Sequence, residues 1–270
     1  MAGTPLDVLQ ANELFHDDGS IETLVLCRDN GQLALARSKH RYFGHDKVLP
    51  AHLYTKTVIS QECYRPLTPS TFTEAKPEAQ GISYIKTPDL ICFDVSKPDT
   101  ISNLILGELK VCEKIRLSPH VNVAEYFGCQ VQDGRITGLC FTKYRESLAT
   151  RVNPGHLNKE AFKIPGAFIG RTDVWIKGIQ AGLKHLHSLG FVHNDISPSN
   201  IMFGSDDDSP IIIDFDSCCR IGEDKGEKKG TPGWYDPAVT RSMPENDFLA
   251  LEEMALWLSS ADTKTYQFPL

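Results

Sequence analysis

Hydrophobic and polar positions change period along this chain, and the changes mark its elements. Residues 1–20 are polar without a clear pattern. From Ile21 to Arg37, Leu24-Val25-Leu26 and Leu33-Ala34-Leu35 flank Asp29-Asn30-Gly31. Asn-Gly between apolar runs predicts a tight β-hairpin. Residues 38–60 are mixed, with Val58-Ile59 ending a short strand. Pro66, Pro69 and Pro77 predict an irregular loop over 64–80. Gly81–Lys86 and Leu90–Val95 read as strands. Asp99-Thr100 then cap a helix to about Arg116, with Ile101, Leu104, Ile105, Val111, Cys112 and Ile115 at helical spacing. A second hairpin, 121–131 with 136–141, turns at Asp133-Gly134. A loop over 150–171 leads to the clearest helix. It starts at Thr172-Asp173, carries Trp175, Ile176, Ile179, Leu183 and Leu186 on one face, and stops at Gly190. A last helix, 245–259, is apolar nearly all round through Phe248, Leu249, Leu251, Met254, Leu256, Trp257 and Leu258. It should therefore be buried.

The chemistry concentrates between Phe191 and Asp216. The stretch reads His193-Asn194-Asp195-Ile196-Ser197-Pro198-Ser199-Asn200, then an acidic turn, then Ile211-Ile212-Ile213-Asp214-Phe215-Asp216. Apolar runs that stop abruptly at polar residues deliver those residues to a common rim. Asp195 is a candidate proton acceptor. Asn200 and Asp214 are hard oxygen ligands of the kind Mg²⁺ takes beside phosphate oxygens.

These two motifs, H-x-D-x-x-x-x-N and D-F-x in that order, resemble the catalytic and metal-binding loops of the protein-kinase superfamily. The resemblance covers roughly residues 81–259. It implies an α+β, two-lobed protein-kinase-like fold: a β-rich small lobe over a mainly helical large lobe, with ATP in the cleft. Residues 1–80 would be a divergent part of the small lobe, 81–144 its core, and 145–270 a truncated large lobe. Lys86, ending a Tyr-Ile-Lys strand like the family's V-A-I-K, would pair with Glu108; Lys97 is the alternative. Phe141, Thr142, Lys143 and Tyr144 fall where the hinge binds adenine. Gly230–Pro237 resembles G-T-P-G-Y-x-A-P, and its Thr231 is similar to the threonine that bonds to the catalytic aspartate. Asp247 resembles the aspartate that braces the catalytic loop.

The departures from the family pattern are specific. No G-x-G-x-x-G precedes Lys86, so the lid over the phosphates is missing or replaced. Asn194 stands for the usual arginine, Ser197 for a lysine near the γ-phosphate, Asp216 for a glycine and Ala238 for a glutamate. Three readings stay open. One is a protein-kinase-like phosphotransferase using ATP and Mg²⁺ and acting on a protein serine or threonine. The second is a pseudokinase that serves as a binding module. The third is a small-molecule kinase, against which the Gly230–Pro237 segment argues.

Composition adds bounds. At 270 residues the chain can bury a sizeable core, and its net charge of −7 argues against nucleic-acid and anionic membrane surfaces. No apolar run approaches a membrane span, and the first ten residues lack a signal-peptide layout. Eight scattered cysteines without a C-x-x-C pair suit reduced thiols, hence an intracellular, cytoplasmic or nuclear protein. The chain stops soon after the all-apolar helix. An exposed patch near Trp257 and Leu258, covered by a partner or a second copy, is expected.

Overall fold

The computed structural model describes residues 4–43, 46–76, 83–204, 208–226, 228 and 230–268. The chain forms two compact units. One comprises residues 1–68, 87–106 and 132–137; the other comprises 69–86, 107–131 and 138–270. Both mix strands and helices, in keeping with the expected α+β class.

The first unit contains a five-stranded antiparallel sheet of β1 (Leu6–Phe15), β2 (Ile21–Asp29), β3 (Gln32–Ser38), β4 (Lys47–Val48) and β5 (Leu53–Ile59), in the order β4-β1-β2-β3-β5. The β2–β3 hairpin turns at Asn30 and Gly31, with φ of 47° and 82°. A tight turn of this kind needs positive φ at both positions, which the Asn-Gly pair supplies. Leu6, Val8, Val25, Cys27, Ala34 and Val48 form the sheet's own core. β1 replaces the patternless start expected from the sequence. Its register shifts between Val8 and Gln10, and a bulge there breaks the alternation that would have marked a strand.

Leu90–Val95 is not a strand, contrary to expectation. Asp89 and Asp94 accept from the amides of Ile91 (3.2 Å) and Ser96 (2.8 Å), and Phe93 N donates to Leu90 O (3.2 Å). Aspartates that bond to the backbone two residues on favour turns over strands. Leu90 and Ile91 are buried all the same. The hairpin tip 132–137 also belongs to this unit, where Arg135 Nη1 donates to Arg65 O at 2.9 Å.

In the second unit a three-stranded sheet has the order β6-β8-β7, from β6 (Tyr84–Lys86), β7 (Tyr126–Gln132) and β8 (Arg135–Phe141). The expected strand from Val121 begins only at Tyr126. Gly81 lies outside the described residues. Helix α1 (Thr100–Leu117) carries Glu108. The expected loop after residue 150 begins with a short helix, α2 (Leu148–Val152), which follows β9 (Glu146–Ser147). Ser147 caps it, its side chain accepting from Thr150 N at 3.1 Å. Helix α3 (Thr172–Ser188) leads through Gly190 (φ 87°) into β10 (Phe191–Val192). β11 (Ile201–Phe203) lies between β12 (Pro210–Ile212) and β9 in a three-stranded sheet, and β10 pairs with β13 (Cys219–Arg220). Helix α4 (Pro244–Leu258) is the last α-helix of the described residues.

The expected exposed patch on α4 is absent at the positions named for it. Trp257 and Leu258 are 3% and 1% exposed. Phe162 stacks on Trp257 at 3.9 Å, and Trp234 meets it edge-on at 5.6 Å. The cover is intramolecular and comes from Phe162 before α3 and Trp234 after β13. α4 is not apolar all round either. Its buried Glu253 pairs with Lys159, which also donates to Phe268 O at 2.8 Å, and Leu249 is exposed. A buried carboxylate needs such a partner, so the loop and the C-terminal segment are drawn onto the helix.

Candidate active site

The site is built outward from one buried carboxylate in the first turn of α4. Asp247, 1% exposed, accepts from the amides of His193 and Asn194, each at 2.8 Å, and lies 2.8 Å from His187 Nε2. Those bonds hold the chain after β10 in a fixed path. Asn194 there has φ 64°, a left-handed conformation that costs a non-glycine residue roughly 1 kcal/mol. Its side chain donates to Val192 O (3.3 Å), Ser217 O (3.2 Å) and Ser242 Oγ (3.0 Å). Asn194 is therefore a neutral buried strut, and no charge is presented where the family has its arginine.

The next residue, Asp195, is 8% exposed and fully engaged. Its Oδ1 accepts from both Thr231 N and Thr231 Oγ1, each at 2.7 Å, and its Oδ2 accepts from Asn200 Nδ2 at 3.0 Å. Asn200 Nδ2 also donates to Asp195 O at 2.8 Å. With the amide nitrogen so committed, the Asn200 carbonyl oxygen is the end left for a cation. Asn200 O accepts from Ile213 N at 3.0 Å, and His193 Nε2 lies 2.9 Å from Ile213 O. Ile213, just before the D-F-D stretch, is thus tied to residues 193 and 200. Asp214 itself has φ 66°.

Lys86 reaches Glu108 at 2.7 Å, Asp216 at 3.3 Å and, closer still, Asp214. Lys228 is bonded to Asp216 and lies 3.8 Å from Asp214. Two ammonium groups therefore face three carboxylates in a partly buried space. Burial pulls the Lys86 ammonium down, but Glu108, Asp214 and Asp216 outweigh it and raise its pKa. Burial likewise opposes the charge on Lys228, which Asp214 and Asp216 raise. Glu108 is pushed up, because its burial and the other carboxylates exceed the pull of Lys86. For Asp214 burial raises the pKa, yet the two lysines leave it below the usual carboxylate value. Phe215, fully buried between Phe141 (6.3 Å) and His193 (5.9 Å), donates its amide to Glu108 at 3.3 Å.

Beside this cluster lies a cavity of about 360 Å³, within the range of small-ligand sites. Lys86, Phe141, Thr142, Lys143, Tyr144 and Asp214 line it, together with Tyr84, Ala124, Met202 and Ile213. The last four were not singled out from the sequence. Two of them stand two residues from a candidate: Tyr84 before Lys86 and Met202 after Asn200. Thr142 donates its amide to Glu125 O (3.0 Å) and its hydroxyl to Glu125 Oε2 (2.7 Å), and Tyr144 OH accepts from Glu125 N (3.1 Å). These bonds fix the segment that borders the cavity. Asp216 and Lys228 are the polar residues whose part in the cluster only the structure reveals. Asp195, Thr231 and Asn200 form one network; Lys86, Glu108 and Asp214 form another.

The donor set suits a divalent cation. Asp214 offers carboxylate oxygens and Asn200 a carbonyl oxygen, which are hard ligands, and Mg²⁺ takes few protein ligands of this kind beside phosphate.

A helical unit with a small antiparallel sheet, an aspartate–asparagine–threonine network and a lysine–glutamate pair beside one cavity defines a kinase-like class of site. The protein kinase domain family matches residues 92–250, more than half of the chain, and the chain belongs to that family. Among curated proteins it is similar to the serine/threonine-protein kinase/endoribonuclease IRE1 of Hypocrea jecorina (strain QM6a). They are 32% identical over 135 residues, 44% of this chain and 10% of that protein. It is also similar to the serine/threonine-protein kinase Tao of Drosophila melanogaster, 27% identical over 143 residues, 52% of this chain and 12% of that protein. The serine/threonine-protein kinase SSK22 of Saccharomyces cerevisiae (strain ATCC 204508 / S288c) is 31% identical over 111 residues, 40% of this chain and 7% of that protein. The chain spans about a tenth of the length of these relatives. Together the matches support a kinase-like transferase. Among the described residues no helix is long and apolar enough to cross a membrane.

Proposed function

We propose that the chain binds ATP with Mg²⁺ and transfers the γ-phosphoryl group to a serine or threonine hydroxyl of a protein. The observation that carries this reading is the Lys86–Glu108 pair at 2.7 Å, beside a cavity that Lys86 and Asp214 both line. Adenine would lie along Phe141–Tyr144, and Lys86 would steady the phosphates. Asp195 would orient the acceptor hydroxyl and take its proton as the new oxygen–phosphorus bond forms and the bond to the ADP oxygen breaks. Thr231 and Asn200 hold that carboxylate in place. Mg²⁺, bound by Asn200 and Asp214, would offset the charge on the phosphates.

A second reading, a binding module without transfer, is favoured by one feature. Residues 196–199, Ile-Ser-Pro-Ser, supply no cation between the base and Asn200. Deleting one electrostatic contact of this sort typically lowers a rate on the order of 10²- to 10³-fold. The expected outcome is therefore weak but real Mg²⁺-dependent transfer.

The test uses the whole chain and ATP labelled at the γ-phosphate, with counts followed into protein and into small hydroxyl acceptors separately. Asp195→Asn should leave ATP affinity unchanged and remove transfer. Asp214→Asn should remove the Mg²⁺ dependence of ATP binding. Normal ATP binding with transfer to neither acceptor would make the chain a binding module, and transfer to small acceptors alone would make it a small-molecule kinase.

A further inference from the structure

Phosphoryl transfer depends on positioning and electrostatic stabilisation, to which protein cations contribute beside the metal. Residues 196–199 bring none, and Lys86 is already bonded to Glu108, Asp214 and Asp216. Lys143 lines the cavity, but among the described residues the cation that joins Lys86 on the cluster's carboxylates is Lys228. Residues on either side of it in the sequence are anchored. Upstream, Gly222 N donates to Ser242 O (2.8 Å), Ser242 N to Glu223 O (2.8 Å) and Lys225 N to Thr240 O (2.7 Å). Downstream, Thr231 is fixed to Asp195 by two bonds of 2.7 Å and lies 3.4 Å from Ser197 Oγ. Three residues span at most about 10 Å of extended chain. Lys228 is therefore kept within side-chain reach of the space between Asp195 and Asp214. Its ammonium donates to Asp216, an added carboxylate, and lies 3.8 Å from Asp214.

Resting on the function proposed above, we infer that Lys228 is the residue that contacts the γ-phosphate and offsets its charge in transfer, with Asp216 as its positioning residue. Three features then have one cause. The catalytic loop can carry Ser197, the D-F-x motif carries a third-position carboxylate, and the segment before Thr231 carries a lysine that turns inward. Lys228 takes no part in breaking or making a bond. The proton still goes to Asp195, and the leaving oxygen stays with ADP.

The experiment measures two quantities on the whole chain, each for the unmodified protein, Lys228→Ala, Lys228→Gln, and Ser197→Lys combined with Lys228→Ala. The first is affinity for ATP and for ADP, each with Mg²⁺, by direct titration. A charge-assisted contact to the γ-phosphate should make Lys228→Ala about tenfold weaker for ATP and unchanged for ADP. The second is the rate of labelled phosphate transfer to protein, expected to fall on the order of 10²-fold. Ser197→Lys should restore both in the double variant, which a merely structural role for Lys228 would not allow. The Lys228 side chain is 34% exposed, so the substitutions should leave the thermal midpoint within a few degrees, and Lys228→Gln keeps a polar, uncharged end on a side chain one atom shorter. Equal ATP and ADP losses, no loss, or faster transfer in Lys228→Ala would each overturn the assignment; the last would make Lys228 a lock on the metal ligands. An unmodified protein that binds ATP yet transfers nothing sinks the enzyme reading, whereas retained transfer in both Lys228 variants sinks only the role of Lys228.

Discussion

The five-stranded sheet of residues 6–59 and the kinase-like site use the same kinds of side chain but hold them differently. In the sheet, the central strands β1, β2 and β3 pair with their neighbours in sequence, and its ion pairs lie at the surface. Arg37 meets Glu22 at 3.2 Å with the arginine side chain 46% exposed. At the site, partners come from far along the chain and are buried. Lys86 is 22 residues from Glu108 and 128 from Asp214, and Asp247 is 53 and 54 residues from the two amides it holds. Exposed pairs contribute little because water competes for both charges, whereas a buried group that loses its partner has no substitute. The sheet should therefore tolerate single polar losses that the site does not.

Four outcomes sharpen or break that contrast, from large to small. Asp247→Ala leaves two buried amides without an acceptor, at about 1–3 kcal/mol each. Denaturant unfolding should show a loss on the order of 4 kcal/mol; Glu22→Ala in the sheet should leave the midpoint where it was, and equal losses would erase the distinction. Lys86→Met removes one partner of a buried cluster. It should cost about 2–3 kcal/mol at neutral pH, less than a fully buried pair because the lysine side chain is 23% exposed. Its pH dependence has a defined sign. Glu108 is already raised above the ordinary glutamate value of 4.5. Without Lys86 it rises further, so the folded state binds the extra proton, and stability is full below that value and falls as pH rises through the folded-state pKa. The variant's deficit should thus be larger at pH 8 than at pH 5. A deficit that shrinks with rising pH would show that Lys86 does not neutralise Glu108.

Smaller effects separate packing from local strain. In α3 a Cβ on Gly182 would stand 2.7 Å from the backbone oxygen of Asn122 and 2.9 Å from Ile212 Cδ1. That oxygen also accepts from Ile212 N at 2.9 Å, so it cannot give way freely. Gly182→Ala should destabilise by about 1–3 kcal/mol in chemical unfolding. Gly31→Ala meets nothing within 4 Å, and only its φ of 82° is strained. A loss of about 1 kcal/mol is expected there. A larger loss for Gly31→Ala than for Gly182→Ala would mean that the local turn, and not long-range packing, sets the limit.

Sequence by itself determined the parts of this protein whose physics is short-ranged. The Asn30-Gly31 turn, the amphipathic face of α3 and the offset from Asp195 to Asn200 could all be read from residues a few positions apart, because local backbone geometry governs each. It did not reveal β1, whose bulge hides the alternation, nor the turns at Leu90–Val95, where two aspartates capture the backbone. Tertiary structure decided the rest. It brought Lys86 to Glu108, put Phe162 over Trp257 where an open patch was expected, and turned Lys228 toward Asp214 and Asp216. These pairings join residues 12 to 95 positions apart. Only burial, which makes an unpaired charge or an uncovered ring costly, selects one such partner among many.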